Sequence, residues 1–269
     1  MSSIVRLKPV AARQGLGWIG TGFRNFFRQP LGYTAIFSII GVTVLLLLQI
    51  PQIGAFAALA LMPAATLGFM AAGRAQREGK IVHPGQLFQP WRDPVARSAL
   101  LRLGVVYASA AYLSAILITW LDGGAFETTL DALSKGEAGS EALLSGAFQF
   151  GLLLRLTLAS LMSLVFWHAP ALVAWSHQPL SKALFASTLA CWRALGAYAL
   201  MSAGWFAVLL LFLILAQIFF ALIGQPQGLF LAAVPAGLMF STAFYASLHA
   251  TYTDSFEAAT IDPTDPSKG

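Results

Sequence analysis

Few residues in this chain could do chemistry. Arg155 is the only charged side chain inside a long apolar segment, and a charge in such a place is read first as functional. It lies about twenty residues before Trp175, one membrane thickness away if that tryptophan marks the inner interface. Three roles stay open: an anchor or ion pair with an acid such as Glu141 or Asp131, a contact to a substrate or lipid headgroup, or a gate. His168 stands between Trp167 and Pro170, where its ring could satisfy a carbonyl freed by the proline; proton transfer is the alternative. Gln217 is an amide at a depth suited to bonding between helices. Arg155, His168 and Gln217 are therefore the candidate ligand or lipid contacts.

The remaining motifs exclude more than they offer. Gly15-Leu16-Gly17-Trp18-Ile19-Gly20 matches the dinucleotide-binding glycine pattern, but Arg6-Leu7-Lys8-Pro9 before it is no buried strand. Glycines there are better read as allowing close approach to a neighbouring span. His83, His168, His177 and His249 have no metal-ligand spacing, and Cys191 is alone, so neither a metal nor a cofactor is expected. No phosphate loop, nucleophile elbow or intramembrane carboxylate pair occurs, so no catalytic residue is assigned.

The elements that must position these residues are apolar. Hydrophobic residues make up 58% of the chain and charged ones 10%, too few to coat a water-soluble fold. Long apolar runs cover residues 33–50, 53–72, 103–121, 148–175, 198–223 and 229–251, each long enough to cross or nearly cross ~30 Å of hydrocarbon. The expected fold is all-α: a single membrane domain over 1–252 with six spans, then a polar tail over 253–269, disordered at its end. Asp254, Glu257, Asp262, Pro263, Asp265 and Pro266 mark that tail.

Charge sets the expected threading. Arg6, Lys8, Arg13, Arg24 and Arg28 precede the first run, six more bases from Arg74 to Arg102 precede the third, and Lys182 and Arg193 precede the fifth. The opposite side holds Lys135 among Asp122, Glu127, Asp131, Glu137 and Glu141. By the positive-inside rule both termini are cytoplasmic, in a bacterial inner membrane. The bases do not form one face with stacking platforms, so nucleic acid is excluded as a partner. No cleavable signal peptide is read at the start.

A unit recurs three times: an amphipathic cytoplasmic-side helix, an outgoing span, a turn and a returning span. The helices carry Leu16, Ile19, Phe23, Phe26 and Phe27; then Leu87, Phe88, Trp91, Val95 and Leu103; then Leu180, Leu184, Cys191, Trp192 and Leu195. Such helices lie at headgroup level and attract anionic lipid, with Trp18, Arg24, Arg28, Trp91, Trp192 and Arg193 as interfacial anchors. Each returning span has one Pro-Ala step, so Pro63, Pro170 and Pro235 are expected kinks. Gln49 to Gln52 and Gly224 to Gly228 are tight outer turns, whereas 122–147 is long enough to hold a short helix. Small residues recur at four-residue spacing in Gly104/Ala108, Ala203/Ala207 and Ala233/Gly237/Ser241.

Several runs carry a family resemblance. They are Trp18 to Pro30, Leu61-Met62-Pro63 leading into Gly68-Phe69-Met70, Leu87-Phe88-Gln89-Pro90, Phe166-Trp167-His168-Ala169-Pro170-Ala171-Leu172, and Ala183 to Ser187 through Cys191-Trp192-Arg193. The chain resembles an uncharacterised family of betaproteobacterial inner-membrane proteins, and is distantly similar to the membrane domain fused to some bacterial glycerophosphodiester phosphodiesterases. The resemblance implies an inner-membrane helical bundle and carries over no catalytic residue. Three functions compete. The leading one is a non-catalytic module binding lipid or a membrane-protein partner in envelope assembly or homeostasis. The second is a transporter or flippase for a lipid or amphipathic small molecule, and the third an intramembrane lipid-acting enzyme.

Overall fold

A computed structural model describes residues 5–225 and 227–258. Pro226 in the last tight turn, and 259–269 with Asp262, Pro263, Asp265 and Pro266, lie outside the described residues. In chain order the elements are β1 (Val5–Leu7), α1 (Gln14–Arg28), α2 (Pro30–Leu48), α3 (Gly54–Arg77), a 3-10 helix (Pro84–Arg92), α4 (Pro94–Asp122) and α5 (Ala125–Ser134). A second 3-10 helix (Ser140–Leu144) leads to α6 (Gly146–Phe166), α7 (Ala169–Trp175), α8 (Leu180–Arg193), α9 (Leu195–Leu222), α10 (Gly228–Ala246), α11 (Leu248–Ser255) and β2 (Phe256–Ala258).

Six helical stretches are long and apolar enough to cross a membrane: α2, α3, α4, α6 with α7, α9, and α10 with α11. The shortest, α2, has 19 residues and rises about 28 Å. Apolar side chains such as Leu210, Leu211 and Phe206 of α9 point outward, as a lipid-facing surface requires. Inside, Trp18, Tyr33, Ile36, Phe69, Met201 and Phe240 share one packed cluster, and Leu67, Leu100, Leu103, Leu172 and Phe256 share another.

Two spans are divided. The fourth breaks at Trp167 and His168, and α7 restarts with Pro170 in its first turn, where the missing N–H is no loss. Ser187 of α8 fills the gap: its hydroxyl accepts from His168 N at 3.0 Å and donates to Leu164 O at 3.4 Å. The sixth span breaks at Ser247, with no proline nearby. Pro63 and Pro235 sit inside helices that continue through them, so of the three expected kinks only Pro170 accompanies a break.

The surface segments pack sideways onto neighbouring hairpins. Helix α1 lies on α9, α10 and α11; the Pro84–Arg92 helix on α3, α2 and α4; α8 on α6, α7 and α4. Gly15, Trp18, Gly22 and Phe26 form the buried seam of α1. A side chain at Gly15 would strike the Ala197 carbonyl oxygen, and one at Gly22 the Ala243 carbonyl oxygen. Close helix approach thus accounts for Gly15 of the glycine pattern and for Gly22, whereas Gly17 and Gly20 are exposed with no neighbouring helix against them. The second surface segment differs from the amphipathic α-helix expected. Pro84 and Pro90 restrict it to a 3-10 helix, capped by His83 and Gln86, with Phe88 and Val95 left exposed.

Strands β1 and β2 pair antiparallel, with Arg6 opposite Glu257, so the two described ends of the chain meet on one side of the bundle. Beyond residue 252 the helix runs on to Ser255, and Phe256 is buried. Asp254 accepts from Trp18 Nε1 at 2.8 Å and from Gln14 Nε2 at 2.7 Å, which fastens α1 to α11.

Candidate functional site

A cleft of about 490 Å³ opens within the spans. One wall is the face of α6 that carries Arg155, Leu158, Ala159, Met162, Ser163 and Phe166. These positions repeat every three or four residues, so they stack along one side of the helix. Tyr107, Ala111, Ser114, Ala115 and Ile118 of α4 form the second wall in the same way. Met62, Pro63 and Thr66 of α3 and Phe244, Tyr245 and Leu248 close the remaining side, and Trp167 forms the floor. Small residues on α4 and α6 face the space instead of closing it.

Helix α6 packs on α4, α5, α7 and α8, while α10 packs on α1, α2, α3 and α9. The cleft lies where α6 and α10 face each other without extensive packing, each helix being held mainly by other neighbours. Such a space admits an apolar ligand moving within a membrane; its size lies in the ~300–1,000 Å³ range of ligand pockets.

The end of the cleft remote from the termini is charged. Asp122 is the last residue of α4, and Gly123 and Gly124 follow with φ of 62° and 76°. These left-handed conformations suit glycine and turn the chain into α5. Asp122 Oδ1 accepts from Gly124 N at 2.9 Å, and its Oδ2 accepts from Arg155 Nη1 at 2.6 Å. The Asp122 side chain is fully covered, whereas that of Arg155 is 21% exposed. Arg155 also donates to Gly151 O at 2.9 Å and pairs through Nη2 with Glu127 of α5. Its guanidinium lies 4.0 Å from the Phe126 ring centre, and Phe126 stacks on Phe148. Two carboxylates thus meet one guanidinium, leaving the cluster one negative charge in excess at neutral pH. The partners are Asp122 and Glu127, not Glu141 or Asp131.

The other sequence candidates do not join Arg155. His168 is fully buried and does not line the cleft; its Nε2 is 2.8 Å from Tyr198 Oη, and Nδ1 has no partner. The broken ladder beside it is bridged by Ser187, not by the imidazole, because the ring points toward Tyr198 and Phe256. Gln217 is exposed on α9, away from the cleft. Among the anchors, Arg24, Arg28, Arg193 and Trp192 are exposed, and Trp91 is half-buried. Trp18 is fully buried against Tyr198, so it anchors α1 to the protein and not to lipid. Cys191 is buried, and burial pushes its thiol pKa up to about 12. No three metal-ligating side chains converge among the described residues.

Of the small-residue stripes, Gly104/Ala108 is used: both are buried, and a side chain at Gly104 would strike the Ala60 carbonyl oxygen. Ala203, Ala207, Ala233 and Gly237 are exposed. Asp122, Glu127 and the cleft walls escape a search for motifs, because the fold brings them together from separate elements. The Asp122-Gly123-Gly124 step was the available signal: a helix end followed by a reversal toward the next span.

Six helices long and apolar enough to cross a membrane, with apolar side chains on the exterior as well as in the core, define a multi-pass helical membrane protein. No family model matches the sequence, and no solved structure matches it. A probable inner membrane protein of Burkholderia thailandensis is 32% identical to it over 260 residues, covering 94% of each chain. The chain belongs to that family of probable inner membrane proteins.

Proposed function

We propose that this protein is a non-catalytic lipid-binding module of the inner membrane that serves envelope assembly or homeostasis. The observation that carries the reading is the cleft between α4 and α6, apolar along its walls and charged at one end. A lipid has the same pattern. Asp122 and Glu127 each pair with Arg155, and among the described residues the cleft walls hold no further carboxylate and no histidine, which favours a module over an enzyme.

The termini-bearing end is cytoplasmic in this reading. Arg24, Arg28 and Arg193 are exposed there and would meet anionic headgroups, while the opposite end holds Glu127, Asp131, Glu137 and Glu141. Each surface segment packs on the hairpin that precedes it, and α1 packs on the last, which supports a threefold repeat closing on itself.

The test is photo-crosslinking in native membranes with a lipid carrying a photoactivatable group in its acyl chain. Crosslinks concentrated on 107–118 and 155–166 support the module. Crosslinks spread evenly over α2 and α9, as for bulk lipid, reject it. Rapid movement of a labelled lipid between leaflets in proteoliposomes would favour the flippase instead, as would a path continuing past Trp167.

A further inference from the structure

Resting on the lipid reading above, we infer that the cleft holds one acyl chain of a phospholipid from the leaflet opposite the termini, whose amine-bearing zwitterionic headgroup seats at Arg155, Asp122 and Glu127. Three observations carry this. First, the cleft is one leaflet deep. Arg155 and Trp167 stand twelve residues apart along the fourth span, a rise of about 18 Å against the ~15 Å of half a hydrocarbon layer. Trp167 and Leu248 floor it there, so a chain entering beside Arg155 ends near the midplane. The two walls are apolar over that length, apart from scattered hydroxyls such as Ser114 and Ser163.

Second, the mouth lies at headgroup level. Asp122 ends α4, and Trp120 just before it is exposed, the place an interfacial aromatic takes. Third, the cluster there has guanidinium N–H donors and one carboxylate acceptor unspent. Arg155 uses Nη1 on Asp122 and Gly151 and Nη2 on Glu127, and no partner takes its Nε–H among the described residues. Glu127 gives one carboxylate oxygen to Arg155; its other oxygen has no partner, and its side chain is 58% exposed. A phosphate oxygen can accept from the first, and an ammonium can donate to the second. The excess negative charge opposes a headgroup that is anionic overall, and Glu137 and Glu141 on the same side add to that field. A choline headgroup has no N–H to give Glu127, so a primary amine is favoured.

The experiment is native mass spectrometry of the full chain, purified in detergent, stripped of lipid and titrated with phosphatidylethanolamine, phosphatidylglycerol or phosphatidylcholine carrying identical palmitoyl chains. The expected result is one retained lipid, with phosphatidylethanolamine at least about fivefold tighter than the other two. Glu127→Gln should bring the three within about twofold of each other while one lipid still binds. Ala159→Phe should block all three by filling the cleft, and Met162→Trp is the second variant if the first fails to elute as a folded monodisperse protein. Phosphatidylglycerol or phosphatidylcholine binding as tightly as phosphatidylethanolamine would overturn the headgroup assignment and leave the cleft reading standing. No stoichiometric lipid on the wild-type chain, or undiminished binding in a folded cleft-filled variant, would overturn both.

Discussion

Trp18 separates two pictures of α1. If α1 floats at headgroup level, its tryptophan meets lipid; in the structure it is fully covered, with its ring 5.2 Å from that of Tyr198 and its N–H on Asp254. Trp18→Ala would uncover or leave void roughly 200 Å² of aromatic surface, about 5 kcal/mol at ~25 cal/mol per Å². Aromatic truncations in packed cores cost about 3–5 kcal/mol, so about 3 kcal/mol is a cautious figure with the rest of the seam intact. Trp18→Phe removes the hydrogen bond and the smaller part of the ring system, while a six-membered ring still fills most of the seam. Asp254 keeps Gln14, so the loss should be about 1 kcal/mol. At about 1.4 kcal/mol per tenfold, the undocked population of α1 should rise roughly a hundredfold for Ala and roughly fivefold for Phe. Trypsin cleavage at Arg24 and Arg28 in detergent reads that population, since a helix must open before it is cut. Trp192→Ala, at a side chain 62% exposed, is the control and should leave the rate unchanged. Equal cleavage of wild type and Trp18→Ala would refute the docking argument and return Trp18 to the lipid interface.

Other predictions follow from the same packing. Gly104→Val should destabilise by about 1–3 kcal/mol, read as a lower midpoint on SDS titration, because α3 and α4 touch there, whereas Ala203→Val on the exposed side of α9 should stay within ~0.5 kcal/mol. Cys191 should resist maleimide in the folded protein at neutral pH and react once SDS unfolds it, since its thiol stays protonated and covered. The folded pKa of about 12 lies above the ordinary value of 9.0, so this contribution to stability is complete below pH 9 and shrinks as the pH rises toward 12. Cys191→Ala should remove that part of the alkaline loss. Single-cysteine labelling should place Ser134 and Lys80 on opposite sides of the membrane, and finding them together would break the proposed threading.

Most of the span pattern was legible because apolar length is a one-dimensional property. The helices overrun the apolar runs where charge sits outside hydrocarbon: α3 continues to Arg77, and α4 begins at Pro94 and carries Arg97 and Arg102. Helical hydrogen bonding needs no apolar side chains there. The break near Pro170 was marked by its residue type, but the break at Ser247 has no such mark and depends on tertiary packing. Residue type misled at Trp18, and at Gln217 it left open which way the side chain faces. An aromatic on an amphipathic face suits lipid or protein equally, and an amide in a span does not say which side of the helix faces inward. Arg155 was legible as a charge out of place, yet its partners were not, since a glycine pair after Asp122 brings α5 back over α6. The cleft was least legible, because Ala111, Ala115, Ala159 and Ser163 have the small size that normally closes a helix pair.

The most direct measurement is a cryo-EM map of the full chain in nanodiscs of defined lipid, at a resolution that shows acyl chains. The account expects one chain-shaped density along α6 from Arg155 to Trp167, with headgroup density against Glu127. A cleft closed by contact of α6 with α10, or one empty while annular lipid is resolved around α2 and α9, would contradict it.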